Sequence, residues 1–410
     1  NYKSYGLKKE RSKMKNYFNN KVNGSPKQKG LFEIYAIASQ KERAGEKVIH
    51  MEIGRPDFDT PMAVKERAVK ALDEGVVHYT ELSGLDELRR AISEREKLKT
   101  GLYYDPIKEI VVTTGASEGL YCIWNVFLNP EDEVMIPSPY YSSYFNQLTY
   151  SGTNLVKIPV MKDGKIKYDI EDFKSRLTKN TKMILINSPN NPSGYVMTEE
   201  ELNMIAEFAI ENDLIVISDE CYDSFIFEGE YRSIATLPGM KERTLVVNSS
   251  SKTFSMTGWR IGYVMGNENF IREIGKIHSH ITVCATSFAQ AGAIEAYKSV
   301  FKEVEDMVGE FKLRRDYVAD YLSKIDSISF IEPKGAFYVF INVGKLGMDG
   351  IEFSEKILKE KGIALAPGSS FGSEWKDYVR LAYTCSMDNI IEAMDLMKSF
   401  VDSNKNICTK

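Results

Sequence analysis

Seven short β-rich runs, at residues 110–113, 133–136, 155–159, 183–187, 215–218, 244–248 and 260–265, alternate with longer stretches of helical period such as 118–128, 169–177 and 199–211. Apolar strands separated by helices leave neither sheet face bare, so they predict a mostly parallel sheet between two helical layers. The alternation ends near Ala291, where a long helical stripe begins with apolar Val300, Phe301, Val304, Met307, Val308 and Phe311. Beyond it, strands at 329–330, 336–341 and 379–382 and helices at 351–359 and 388–401 read as a smaller α+β unit, with the long helix as the bridge. Ligands of open α/β sheets collect beyond the carboxyl ends of the strands, often where two units meet. Chemistry is expected at those strand ends.

Four strand-end motifs stand out. Gly115-Ala116-Ser117-Glu118-Gly119 follows the first run and opens a helix. It has the form of a serine-hydrolase nucleophile elbow, yet the same small residues at a helix N-terminus present free N–H groups to a phosphate. A hydrolase of that order needs a His late in the chain, and the last one is His280. Ser249-Ser250-Ser251-Lys252 follows the sixth run. A lysine among small residues at a strand end can be desolvated, which lowers its pKa and frees the amine to attack a carbonyl. Its likeness to the S-x-x-K of penicillin-binding proteins fails on order, because Lys99-Thr100-Gly101 comes before it and no S-D-N lies between. Asp219 of Ser218-Asp219-Glu220-Cys221-Tyr222 ends the fifth run, and Asn190-Asn191-Pro192-Ser193-Gly194 marks a turn.

Charge and cysteine content narrow the classes further. Residues 1–30 carry nine Lys/Arg and one acid, so the net charge of −5 hides a basic leader in front of a body of net −13. An acidic body argues against a nucleic-acid-binding globule. Five cysteines, without C-x-x-C or His at ligand spacing, point to neither a disulfide framework nor a metal site. The apolar runs are strand-sized, so no membrane span is expected, and the leader lacks the apolar core of a signal peptide. A cytoplasmic location is the expectation.

Taken in order, the four motifs resemble those of fold type I aminotransferases that use pyridoxal 5′-phosphate (PLP), and more narrowly the class I/II family of aspartate- and aromatic-aminotransferase type. The likeness extends to Ile53–Pro61 (I-G-R-P-D-F-D-T-P), His78-Tyr79-Thr80, Pro139-Tyr140-Tyr141 and the Tyr378–Tyr383 run, with Gly258 and Arg260 six and eight residues after Lys252. The resemblance implies a three-layer α/β/α large domain with a mostly parallel seven-stranded sheet plus a smaller α+β domain. Its expected boundaries are a basic extension at 1–30, a segment at 31–50 packing with the small domain, a large PLP-binding domain at 51–295, and the linking helix with the small domain at 296–410.

It also implies roles. Lys252 would form a Schiff base with PLP and carry the proton, and Asp219 would meet the pyridine nitrogen. Tyr222 and Asn191 would bond the 3′-oxygen, and Tyr141 would stack on the ring. Gly115, Ala116, Ser117, Ser249 and Arg260 would cradle the phosphate. Arg380, with Gly54 and Asn191, would clamp the substrate carboxylate. Tyr79 would reach the phosphate of a neighbouring subunit, which makes a homodimer with shared sites the expected unit. The implied reaction moves the amino group of an L-amino acid to a 2-oxo acid by a ping-pong mechanism. Relatives run other PLP reactions on the same residues, among them β-elimination, decarboxylation, cyclopropane formation and oxidation, and a serine hydrolase through Ser117 is the remote alternative. Phe32, Ile34 and Tyr35 fall where relatives contact the substrate side chain, hinting at aromatic or aliphatic substrates. Arg55 is placed either to favour an acidic side chain or to meet Asp57.

Overall fold

The computed structural model of the protein describes residues 30–405, so the basic leader, apart from Gly30, lies outside the described residues. Seven strands form the large sheet: β1 (Ile110–Thr113), β2 (Glu133–Ser138), β3 (Asn154–Pro159), β4 (Thr181–Asn187), β5 (Ile215–Asp219), β6 (Thr244–Ser249) and β7 (Gly262–Met265). Their order is β1-β7-β6-β5-β4-β2-β3. Strand β7 runs antiparallel to both its neighbours, and every other pair is parallel.

Side-chain alternation explains the layers. Ile110 and Val112 of β1 join a cluster with Ala289, Ala293 and Ala296, whereas Val111 between them joins Leu120, Ile123 and Trp124 on the other face. Both faces are thus sealed by helices, as the continuous apolar runs require.

The helices relevant to the site are α1 (Leu31–Arg43), α2 (Ala116–Phe127), α3 (Ser142–Ser151), α4 (Ser287–Ser299) and α5 (Phe301–Ser323). The expected single long helix is therefore two. Val300 breaks it with φ −95° and ψ 38° and is buried, while Phe301 beside it is exposed. The apolar stripe reads through this break because periodicity senses burial and not backbone geometry. The segment expected at 169–177 shrinks to Ile170–Lys174, with Asp169 as its N-cap accepting from the Glu171 N–H at 3.0 Å. Arg260, expected within a strand, stands before β7 in the left-handed region at φ 58°.

A second, antiparallel sheet has the order β8 (Ser329–Ile331), β9 (Tyr338–Asn342), β11 (Tyr378–Ala382), β10 (Ala366–Pro367). The chain ahead of the large sheet is tied to this unit. Ile49–His50 pairs in parallel with Ile363–Ala364, the Ala382 N–H donates to the Met51 carbonyl at 2.8 Å, and Ile34 and Ala38 of α1 pack on Leu358 and Ala364. Residues 51–54 consequently run between the two sheets, beside Arg380.

Candidate active site

A cavity of about 290 Å³ opens between the two units at the carboxyl ends of β1, β2, β4, β5 and β6. Of the thirteen residues expected at the site, Gly54, Ala116, Ser117, Tyr141, Asn191, Asp219, Tyr222, Ser249, Lys252, Arg260 and Arg380 line it. Gly115 supports it from behind. Tyr79 does not reach it and is 81% exposed.

One end is built for an anion. Strand β1 turns at Gly115, which has φ 79°, into α2, whose first N–H groups have no acceptor within the helix. A β-carbon on Gly115 would stand 2.3 Å from Arg260 Nη2, and one on Gly262 would stand 2.4 Å from the Ala116 nitrogen. Glycine at both places is what lets the guanidinium and the helix terminus approach each other. The Ser249 hydroxyl faces the same cavity and accepts weakly from the Ser251 N–H at 3.4 Å.

The floor holds Asp219. Its Oδ2 accepts from Tyr144 Oη at 2.5 Å and its Oδ1 from the Cys221 N–H at 3.2 Å. Burial pushes this carboxyl above the usual range, against the lowering effect of those bonds. Asn187 Nδ2 donates to the Asp219 carbonyl at 3.0 Å, and Asn187 Oδ1 accepts from the Asn191 N–H at 2.9 Å. The ends of β4 and β5 are thus stitched together.

Lys252 follows β6 in a short helical turn, and its Nζ donates to the Gly54 carbonyl at 2.6 Å. Burial pushes the amine down to about 8, and Arg380 and Arg260 add to that against the opposing pull of Cys221 and Asp219. Tyr222 Oη lies 2.7 Å from Tyr338 Oη and accepts from Asn191 Nδ2 at 3.5 Å. The edge of the Tyr141 ring meets Tyr144 at 5.5 Å between centroids.

Arg380 on β11 is 2% exposed. Its Nη1 donates to Asn191 Oδ1 at 2.9 Å, its Nη2 donates to the Glu52 carbonyl, and its Nε is buried with no partner. The guanidinium lies against Tyr338 and Phe371, 4.5 and 4.8 Å from their ring centroids. Among the described residues, no carboxylate comes within ion-pair distance of Lys252, Arg260 or Arg380, although most basic side chains elsewhere in the fold have one. Three uncompensated cations around one cavity are costly unless an anion completes them.

Sequence reasoning missed Tyr144, Asn187 and Tyr338. The first lies three residues after Tyr141, one helical turn along, and the third sits in a continuously apolar strand, so both read as core. Of the entrance residues, Phe32 lines the cavity, but Ile34 faces inward from α1 and is buried against Leu358 and Ala364. Tyr35 and Arg55 line a separate cavity behind Ile53. Asp57 is not Arg55's partner, since it pairs with Arg314 at 2.6 Å. No His bonds Ser117 among the described residues, as His278 is held by Glu118 at 3.0 Å, so no elbow chemistry is assembled.

The family described as aminotransferase class I and II matches residues 46–396. An aspartate aminotransferase of Pyrococcus abyssi is 40% identical over 361 residues, 87% of this chain and 92% of that protein. Aromatic-amino-acid aminotransferase 2 of Thermococcus litoralis is 37% identical over 88% of this chain and 93% of its own length. Among solved structures, the aromatic aminotransferase of Pyrococcus horikoshii superposes with a TM-score of 0.85 at 39% identity, covering 90% of this chain and 99% of that one. The Thermus thermophilus aspartate aminotransferase with maleate gives 0.88 at 32% identity, covering 93% and 99%. With its fold, its strand-end site and these matches over most of the chain in agreement, the chain is an aminotransferase and belongs to the class I and II family.

Proposed function

We propose that the cavity holds PLP and, over it, an L-amino acid or 2-oxo acid, and that amino transfer proceeds in two half-reactions. The observation that carries this is the set of three unpaired cations converging with one buried carboxylate. The donor set fits the cofactor group by group. Arg260, the Ala116 and Ser117 N–H groups and the Ser117 and Ser249 hydroxyls suit a dianionic phosphate, which charge-assisted bonds at a helix N-terminus favour. Asp219, raised by burial when it stands alone, suits a cationic ring nitrogen, because an opposite charge restores its ionised form. Tyr222 and Asn191 suit the 3′-oxygen, and Tyr141 offers a ring to stack on.

PLP supplies an aldehyde for covalent attachment of the amino group and a ring that draws electrons from the substrate Cα. The chain's residues do the rest. Lys252, held down to about 8, has a neutral amine available near neutral pH and moves a proton at the substrate Cα. Arg380 fixes the α-carboxylate, with its free Nε as the natural second donor beside Nη1. Tyr144 and the Cys221 N–H keep Asp219 aimed at the ring.

The non-polar part of the lining, Leu31, Phe32, Ile53 and Leu120, supports an aromatic or long aliphatic amino acid. The aspartate aminotransferases among its relatives support a second reading, an acidic substrate. Tyr79, exposed and outside the cavity, we place in the phosphate site of a second copy, making the working unit a dimer. The test is reconstitution with PLP followed by a panel of twenty amino acids with 2-oxoglutarate. Turnover lost in Lys252→Ala, with release of the matching 2-oxo acid by the wild type, is expected. A wild type that neither binds PLP nor turns over any amino acid would overturn the reading.

A further inference from the structure

The segment that brings Gly54 to the site holds a buried carboxylate that none of these roles uses. Glu52 has no exposed surface. Its Oε1 accepts from His50 Nδ1 at 2.7 Å, and its Oε2 has no partner. His50 Nε2 lies 3.3 Å from Glu42 of α1. A carboxylate carried to that depth with so few bonds is costly as a lone anion and tolerable beside a cation. A protonated imidazole is that cation. The Glu52 hydrogen bond, opposed by desolvation and helped by the charges of Glu52 and Glu42, holds the proton on above the ordinary histidine value.

The backbone of this segment touches the site directly. The Glu52 carbonyl accepts from Arg380, the Ile53 carbonyl from Thr384 Oγ1 at 2.9 Å, and the Gly54 carbonyl from Lys252 at 2.6 Å. The Glu52 carboxylate belongs to the same buried residue whose carbonyl the guanidinium contacts, so the two charges meet through one segment where salt screens little. His50 borders a surface cavity of about 290 Å³ lined also by Tyr35, Ser39, Glu42 and Arg55, so its proton exchanges with solvent. The charged groups facing it are Glu42 from α1, Glu52 from its own segment and Arg55 across that cavity. The Tyr35 ring lies 6.2 Å away, and Ala364, its strand partner, brings no charge.

We propose that His50 and Glu52 are a positioning pair for the substrate-carboxylate clamp, in which the protonated imidazole neutralises Glu52 and leaves Arg380 at full strength. Loss of that proton uncovers a negative charge beside Arg380 and weakens carboxylate binding. The inference rests on the reading of Arg380 as the clamp. The sign follows from linkage: an anion held better by the protonated form binds most tightly below the His50 pKa, and its affinity falls as pH rises through it.

The experiment measures the affinity of the PLP-loaded enzyme for 3-phenylpropionate, an unreactive carboxylate, between pH 5.5 and 8.5. The wild type is expected to weaken by roughly three- to tenfold across one step, the span of a coupling up to one pKa unit. His50→Gln keeps a donor for Glu52 and should abolish the step with weak binding throughout. Glu52→Gln should abolish it with tight binding throughout. Where His50→Gln is not recovered folded, Glu42→Gln should move the step to lower pH, one carboxylate fewer holding the proton. A step unchanged in His50→Gln, or unmoved in Glu42→Gln, overturns the pair. Arg380→Ala separates the two ideas, since unaltered affinity in that variant would overturn the clamp itself.

Discussion

Arg380→Lys tests the carboxylate clamp while keeping its charge. In the wild type, the guanidinium is 2% exposed, bonded through Nη1 to Asn191 and through Nη2 to the Glu52 carbonyl, and packed between Tyr338 and Phe371. A lysine ammonium offers a point charge in place of the planar fork, so one of two parallel bonds to the substrate carboxylate is lost. A hydrogen bond to a charged group contributes about 1.5–3 kcal/mol. At about 1.36 kcal/mol per factor of ten, kcat/KM should fall roughly 10- to 150-fold. The loss should fall equally on the amino acid and 2-oxo acid half-reactions, because both substrates carry the same carboxylate. Steady-state kinetics in both directions measure it, and the visible absorbance of bound PLP should stay as in the wild type. Retention of kcat/KM within threefold would refute the reasoning. So would an equal loss for a primary amine that has no carboxylate.

Three further outcomes follow from the same geometry. PLP capture by the cofactor-free protein should speed up with pH and level off with a midpoint about 8, because the depressed Lys252 value makes the neutral amine the favoured form above it; stopped-flow absorbance measures this, and a midpoint at the ordinary lysine value near 10.4 would count against it. Gly115→Ala sets a β-carbon 2.3 Å from Arg260 Nη2 at a backbone φ of +79° and ψ of 161°, at about 1–3 kcal/mol of backbone strain. It should weaken PLP retention on dialysis by tenfold or more, and unchanged retention would show that the cradle is looser than described. Tyr79→Phe alters a side chain that is 81% exposed and should leave thermal stability within about 0.5 kcal/mol. It should nonetheless loosen PLP if the proposed reach of its hydroxyl into a second copy's phosphate site holds; unaffected PLP affinity would remove Tyr79 from the site.

The legible part of this protein was the part written in local pattern. The seven strands lie within two residues of where apolar runs place them, because a strand buried on both faces must be apolar throughout and is bounded by turn residues. Eleven of the thirteen expected site residues meet at one cavity, most of them from the ends of strands or the turns just after them, where side chains converge. What stayed illegible depends on partners distant in sequence. Tyr144 reads as a core residue of α3 until its hydroxyl is found on Asp219, 75 residues away. Arg55 stands open in the sequence between an acidic substrate and Asp57, and the fold gives Asp57 to Arg314, 257 residues on, and Arg55 itself to a cavity behind Ile53.

The same distinction separates the charges. A body of net −13 hides its positive site, because composition counts charges without saying which are paired. Lys99 and Arg95, as basic as Lys252 in sequence, are both taken up by buried Asp223 and so hold the fold. Lys252, Arg260 and Arg380 have no such partner among the described residues, and an unpaired cation in a cavity is a place held for an anion. In this chain, function is marked less by which residues are charged than by which charges the fold leaves unanswered.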